Sequence, residues 1–472
     1  MRANKIVLVS LAVLLLSCSF LTQTVSQIQP TTIPIAPGLD MTEPAPKITI
    51  TAETKNINSE IYLPPSCQNV ALATIPAATT IAEPTPSLGD NPEISSETQL
   101  IVFEDLVSKI EQVYLYPDFN GVDWQTVSAA YRAKIKTGLD TETFYSEMNN
   151  LVSELKDDHS QFQSPVQLAR AQAELAGHND FVGVGALILP QVEKERISIL
   201  AVFPDSAADH AGLKAHDSIL ATDGIPIVSD GVVYTQHTRG PLCSAVTLTV
   251  QSPNEQPREV MVVRYRINAP VPVDARLVTT RDGSKIGYIF LPSFFDETIP
   301  ARVKKSLEEF GQLDGLILDN RMNGGGSSDV LDPLLGYFTH GTLGNFVMRT
   351  SQRPLEIKAN PINNSQEVPL VVLVGPNSVS FGEIFAGVLQ DTGRALLVGK
   401  TTLGNVEVLH RFDFEDGSRL WLSQERFDPL ISHANWEKDG IIPDVEAFAD
   451  WDTFTFDTDP SITAALLLLG HQ

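Results

Sequence analysis

Basic charge is scarce in this chain. Its 472 residues carry 33 Lys and Arg against 58 Asp and Glu, a formal net charge of −25. No basic stripe is available to follow a phosphate backbone, so nucleic acid is excluded as a partner, and a surface that hugs anionic lipid is disfavoured. Cysteine is nearly absent, with three in all, and no Cys/His spacing suits a zinc site. Long apolar runs are missing too. The longest, Ile6 to Leu16, has eleven residues and is too short to span a bilayer. What remains is an ordinary globular composition, 43% hydrophobic, in a chain long enough for two or three domains.

The apolar run follows Arg2 and Lys5, the layout of a targeting leader. Leu15-Leu16-Ser17-Cys18 resembles a bacterial lipobox, which implies lipidation at Cys18. The alternatives are cleavage nearby with secretion, or an uncleaved anchor. All three place the chain outside the cytosol, and only the N-terminus touches a membrane. That setting permits a disulfide, but the sequence leaves Cys67 and Cys243 open between pairing and two separate thiols. Residues 19–96 are rich in Thr and Pro and read as an extended tether, with room for local structure around Ile61 to Ala73.

Residues 97–176 carry helical periodicity, with Leu100, Phe103, Leu106, Ile110 and Val113 on one face, and end near Asp157-Asp158-His159-Ser160. Residues 177–268 switch to short alternating strands. From 269 to 455 strands and helices alternate, which argues a layered α/β domain with largely parallel strands. Residues 456–472 read as a C-terminal tail whose Ala464 to Gly470 run suits the end of a core helix.

Within the α/β part, Pro369 to Gly375 (PLVVLVG) is a strand, Pro376 to Val379 a tight turn, and Phe381 to Gln390 a helix. Ser380 stands between turn and helix, flanked by the small Ser378 and Gly382. Strand, sharp turn, serine and helix is how a chain exposes a nucleophilic hydroxyl, although a helix-capping serine has the same local signature. A second segment, Asp319 to Gly326 (DNRMNGGG), follows another strand and allows close backbone approach to a substrate.

Two resemblances rest on these segments. Phe181-Val182-Gly183-Val184-Gly185-Ala186, Pro204 to Ala208, Ala211-Gly212-Leu213 and Asp223-Gly224 resemble a PDZ domain of the processing-protease type. That implies peptide binding by strand addition, with Phe181, Val182, Gly183 and Val184 at the carboxylate end. With the helical segment, the glycine run, the Ser380 unit and Asp439-Gly440-Ile441-Ile442-Pro443-Asp444-Val445, the chain from 97 to 450 resembles the C-terminal processing (tail-specific) serine peptidases and their tricorn-type relatives. The resemblance implies a ClpP/crotonase-like α/β protease domain with an N-terminal helical domain and an inserted PDZ domain. It further implies cleavage of proteins or peptides near their C-termini, without metal or organic cofactor.

The processing branch uses a Ser-Lys dyad, but its lysine position falls on Asn405, and an amide is no proton acceptor at neutral pH. Its supporting glutamine falls on Leu409, while Lys400 reads as a solvated loop residue. In the tricorn branch a histidine before the PDZ domain activates the serine. His159 holds that place, with Asp158 or Glu437 as its carboxylate. The implied oxyanion donors are the N–H groups of Phe381 and of Gly325 or a neighbour in the glycine run. His410 and His433 are competing bases. Two other functions stay open: an inactive relative that binds peptides through its PDZ domain, motivated by Asn405, and a carrier of hydrophobic ligands.

Overall fold

The computed structural model describes residues 62–68, 73–74, 91–176 and 180–470. The leader, Cys18 and most of the tether lie outside the described residues. Among the described residues, no helix is long and apolar enough to cross a membrane.

The centre is a six-stranded sheet in the order Ala275–Thr279, Lys285–Phe290, Gly315–Asp319, Leu370–Val374, Leu396–Gly399, Val445–Glu446. The first pair is antiparallel and the rest are parallel. These strands are continuous apolar runs because both faces are covered. Leu316 and Leu318 face one core, with Val303, Leu334 and Phe385 from the helices Ile299–Phe310, Ser328–Phe338 and Phe381–Asp391. Ile317, Val371 and Leu373 face the other. That second core is closed by Trp451, Phe454 and the helix Pro460–Leu468. The segment read as a tail is therefore core from Phe456 onward. Asp459 within it meets Arg321 at 2.6 Å, in a buried cluster with Asp319.

A second sheet runs Gln352–Ile357, Gly341–Val347, Arg419–Pro429, Gln161–Gln163, and Val408–Asp413 also pairs with Arg419–Pro429. The helices Ser96–Val113, Trp124–Ile135 and Thr141–Ser153 present Phe103, Ile110, Phe144 and Leu151 to a core that includes Phe414, Leu420 and Leu422 of this sheet. Gln161 pairs with Trp421, so the strand just after His159 is stitched into the sheet. The helical segment thus shares its core with the α/β part.

Residues 180–268 form a β-rich unit around Val184, Ile197, Ile219 and Leu248. The stretch 180–191 forms two strands, Asp180–Gly183 and Ala186–Gln191, separated at Gly185 (φ +86°). A Cβ at Gly185 would stand 2.2 Å from that of Ser206. Cys67 and Cys243 are disulfide-bonded. Ala73–Thr74 pairs with Ser244 and Ala245, so part of the segment read as tether is fastened to this unit. The unit docks on the α/β core through Trp451, whose indole donates to Ile199 O at 2.9 Å while its carbonyl meets His216 Nδ1 at 2.9 Å. Lys194 and Arg196 also pair with Asp452 there.

Candidate active site

Ser380 stands at the carboxyl end of the strand Leu370–Val374, beside the end of Gly315–Asp319, where an α/β sheet ordinarily binds ligands. Its backbone has φ +57° and ψ −126°, a conformation L residues rarely adopt. Such strain persists only where the surroundings impose it. Here the Ser380 N–H reaches Asn405 O at 2.8 Å and Glu383 Oε2 at 3.1 Å. Glu383 is fully buried, and its other oxygen accepts from Thr402 Oγ1 and the Gly404 N–H. Burial pushes its pKa up, against the donors around it. On the other side, Ser378 Oγ donates to Asn320 O, Val379 N–H to Asn323 O, and Asn320 Nδ2 to Gly382 O. The turn carrying the serine is thus pinned to both flanking loops.

The glycine run meets the serine directly. A Cβ on Gly325 would lie 2.7 Å from that of Ser380, so only glycine fits. Its N–H, however, is donated to Asn323 Oδ1 at 3.0 Å. Of the donors expected from the glycine run, Gly325 or a neighbour, Gly325 thus has its amide engaged within the loop. Phe381 opens the helix Phe381–Asp391, where an N–H has no intrahelical acceptor.

His159 lies between the helix Thr141–Ser153 and the strand Gln161–Gln163. Its side chain is 7% exposed, and Nε2 is 2.8 Å from Glu437 Oε1. Burial works to lower the imidazole pKa, but the Glu437 bond and charge, with Glu407 and Asp157 nearby, outweigh it and push the value up to about 9. Glu437 Oε2 accepts from the Val406 N–H at 2.8 Å and the Glu407 N–H at 3.2 Å. The segment 405–407 therefore grips the serine with one carbonyl and the histidine's partner with the next two amides.

Asp158 is exposed, and the carboxylate that meets the imidazole is Glu437. The preceding Asp157 shapes the loop instead, accepting from the His159 and Ser160 amides and from Tyr114 Oη. Glu407 is a buried carboxylate that sequence reasoning missed. Its Oε1 accepts from the Tyr116 hydroxyl, and burial raises its pKa. No local pattern marks either residue. The competing bases are engaged elsewhere: His410 Nε2 with Glu425 at 2.8 Å, and His433 Nδ1 with Asp428 at 3.1 Å. Lys400 is exposed, with Nζ 5.3 Å from the centroid of the Phe448 ring.

In the β-rich unit, Phe181, Val182 and Gly183 pair with Ile267, Arg266 and Tyr265 on one side. On the other, Gly183 bridges Arg239 and the Val184 N–H donates to Thr238 O. The backbone expected to take a peptide carboxylate is largely paired within the unit. Ala186–Gln191 forms the edge of its sheet in the strand order.

Comparison with known proteins agrees with this architecture. The model of peptidase family S41 matches residues 285–447, and that of the tricorn protease C1 domain matches 100–153. A carboxyl-terminal-processing protease of Synechocystis sp. is 31% identical over 341 residues, 71% of this chain and 78% of the relative. One from Picosynechococcus sp. is 30% identical over 348 residues, 71% of this chain and 80% of its own length. The solved photosystem II D1 C-terminal processing protease shares the fold, with TM-score 0.54 and 23% identity over 78% of this chain and 97% of that one.

Proposed function

The chain belongs to peptidase family S41, the serine-type carboxyl-terminal-processing proteases, and on that premise we propose that it cleaves proteins or peptides near their C-termini through Ser380, His159 and Glu437. The observation that carries this reading is the 2.8 Å contact of His159 with Glu437, fastened to the same three-residue segment that holds the Ser380 amide.

In this mechanism neutral His159 takes the Ser380 Oγ proton as Oγ attacks the scissile carbonyl. Glu437 stabilises the imidazolium that forms, the role a buried carboxylate plays in a serine triad. The oxyanion is held by the Phe381 N–H and an amide of the glycine run other than that of Gly325. The imidazolium protonates the leaving amine, and water then releases the acyl group by the reverse path. Asn405 in place of a lysine is accommodated, because its backbone serves Ser380 while the base comes from the helical segment. This reading favours the tricorn-type branch over the Ser-Lys branch. The β-rich unit acts as a PDZ domain that delivers C-terminal segments, with Ala186–Gln191 as the strand a peptide extends. The protein works outside the cytosol, tethered through a lipid on Cys18.

The test is hydrolysis of an unfolded protein with a free apolar C-terminus. Wild type is expected to shorten it and Ser380→Ala to leave it whole. Equal cleavage by both proteins would refute the reading.

A further inference from the structure

Around His159 there is one carboxylate more than a serine triad uses. Glu407 is 5% exposed, and its Oε2 is buried without a well-formed hydrogen bond among the described residues, the Ser423 hydroxyl being the one further donor beside the carboxylate. A buried carboxylate oxygen is ordinarily satisfied by a donor or a cation. A ring nitrogen of His159 and one carboxylate oxygen each of Glu407 and Glu437 lie within 4.8 Å of one another.

We infer that His159, Glu407 and Glu437 form a site for a divalent transition-metal ion of the zinc class. The donor set argues the class: an imidazole with two carboxylates suits zinc, whereas magnesium and calcium prefer all-oxygen shells with more ligands. The surroundings argue a built site, because each carboxylate has its outer oxygen oriented by a fixed donor. Glu437 Oε2 is held by the Val406 and Glu407 amides, and Glu407 Oε1 by Tyr116, the outer-shell support that metal ligands ordinarily have. Glu437 Oε1 then faces His159 Nε2, and Glu407 Oε2 has only the Ser423 hydroxyl beside it. Tetrahedral zinc bonds of about 2.0–2.2 Å set donor atoms roughly 3.3–3.5 Å apart, so the His159–Glu437 pair at 2.8 Å must open slightly while the Glu407 oxygen draws in, and a fourth position is left for water.

The ion would replace the His159–Glu437 hydrogen bond with two metal bonds. His159 could then neither accept nor return a proton, so zinc switches the peptidase off. That consequence rests on His159 being the base, whereas the site itself does not.

The experiment uses tag-free, EDTA-treated full chain carrying Ser380→Ala, titrated with ZnCl2 and separately with MgCl2 by calorimetry, with bound metal counted after dialysis. The expected result is one zinc per chain, with magnesium at least 100-fold weaker. Glu407→Gln and His159→Gln should each weaken zinc at least 10-fold while retaining the parent far-ultraviolet circular dichroism. Absence of zinc binding in the parent, or equal binding by both variants, overturns the site. In wild type, zinc should slow fluorophosphonate labelling of Ser380 in step with occupancy. Zinc that binds with the expected variant dependence but leaves labelling unchanged overturns the off-switch and the role of His159 as base, and leaves the site standing.

Discussion

His159 Nε2 and Glu437 Oε1 are 2.8 Å apart although 278 residues separate them in sequence. The contact joins the end of the helical segment to the short helix Trp436–Asp439 of the α/β domain. Both residues are fastened locally, His159 by the strand Gln161–Gln163 and Glu437 by the amides of Val406 and Glu407. The imidazole therefore reaches Glu437 only when the helical segment is docked on the second sheet.

The first prediction concerns pH. With its pKa at about 9, His159 is mostly protonated at neutral pH, and only the neutral form can accept a proton. In EDTA, kcat/KM should rise with pH through about 9. Glu437→Gln removes the largest influence raising that value and leaves the opposing effect of burial. The rising limb should move to lower pH, and the plateau should fall by about 10²-fold or more. A limb that stays in place in the variant would contradict the pairing.

Gly325→Ala tests the contact with the nucleophile. The added methyl would meet Ser380 Cβ at 2.7 Å and Val379 O at 2.9 Å, at a backbone φ of +85°. The turn must shift, and a displacement on the order of 1 Å costs about 10²-fold in rate. Steady-state kinetics should show the loss mainly in kcat.

His216 predicts acid sensitivity. Burial holds its pKa down to about 4, with the Trp451 carbonyl bond working weakly the other way. The unfolded chain binds this proton near pH 6.5, so stability contributed by neutral His216 is present above that pH and is lost as pH falls towards 4. The loss amounts to about 3 kcal/mol, at about 1.4 kcal/mol per unit. Denaturant titrations between pH 7 and 4 should show a shallower decline in His216→Gln than in wild type.

The disulfide Cys67–Cys243, with a sequence separation of 176, fastens the segment around Tyr62 to Thr74 onto the β-rich unit. Its removal in a Cys67→Ser, Cys243→Ser double variant should cost about 2–5 kcal/mol. Thermal melts with and without reductant should differ in wild type and coincide in the variant.

Much of the serine's setting was legible because it is local. The expected strand Pro369 to Gly375 is Leu370–Val374, and the expected helix Phe381 to Gln390 is Phe381–Asp391. These elements read correctly because apolar period and turn residues act within a few positions. What the sequence hid was long-range. Glu407 looks like any strand-edge glutamate until Tyr116, 291 residues away, meets it. Gly325 was expected to offer its amide, and only the fold shows Asn323 taking it. The backbone of Phe181 to Val184 looked free for a peptide until 238–240 and 265–268 closed on it. The segment from 456 read as a tail with a core helix end at Ala464 to Gly470, and in the fold its helix Pro460–Leu468 joins Trp451 in closing a core face that the parallel sheet could not leave exposed.

The most direct measurement is the rate of fluorophosphonate labelling of Ser380 at pH 9 in EDTA, in wild type and in His159→Ala. The account predicts rapid labelling of wild type at Ser380 and a rate lower by about 10²-fold or more without the imidazole. Equal rates in the two proteins would show that Ser380 is activated by something other than His159.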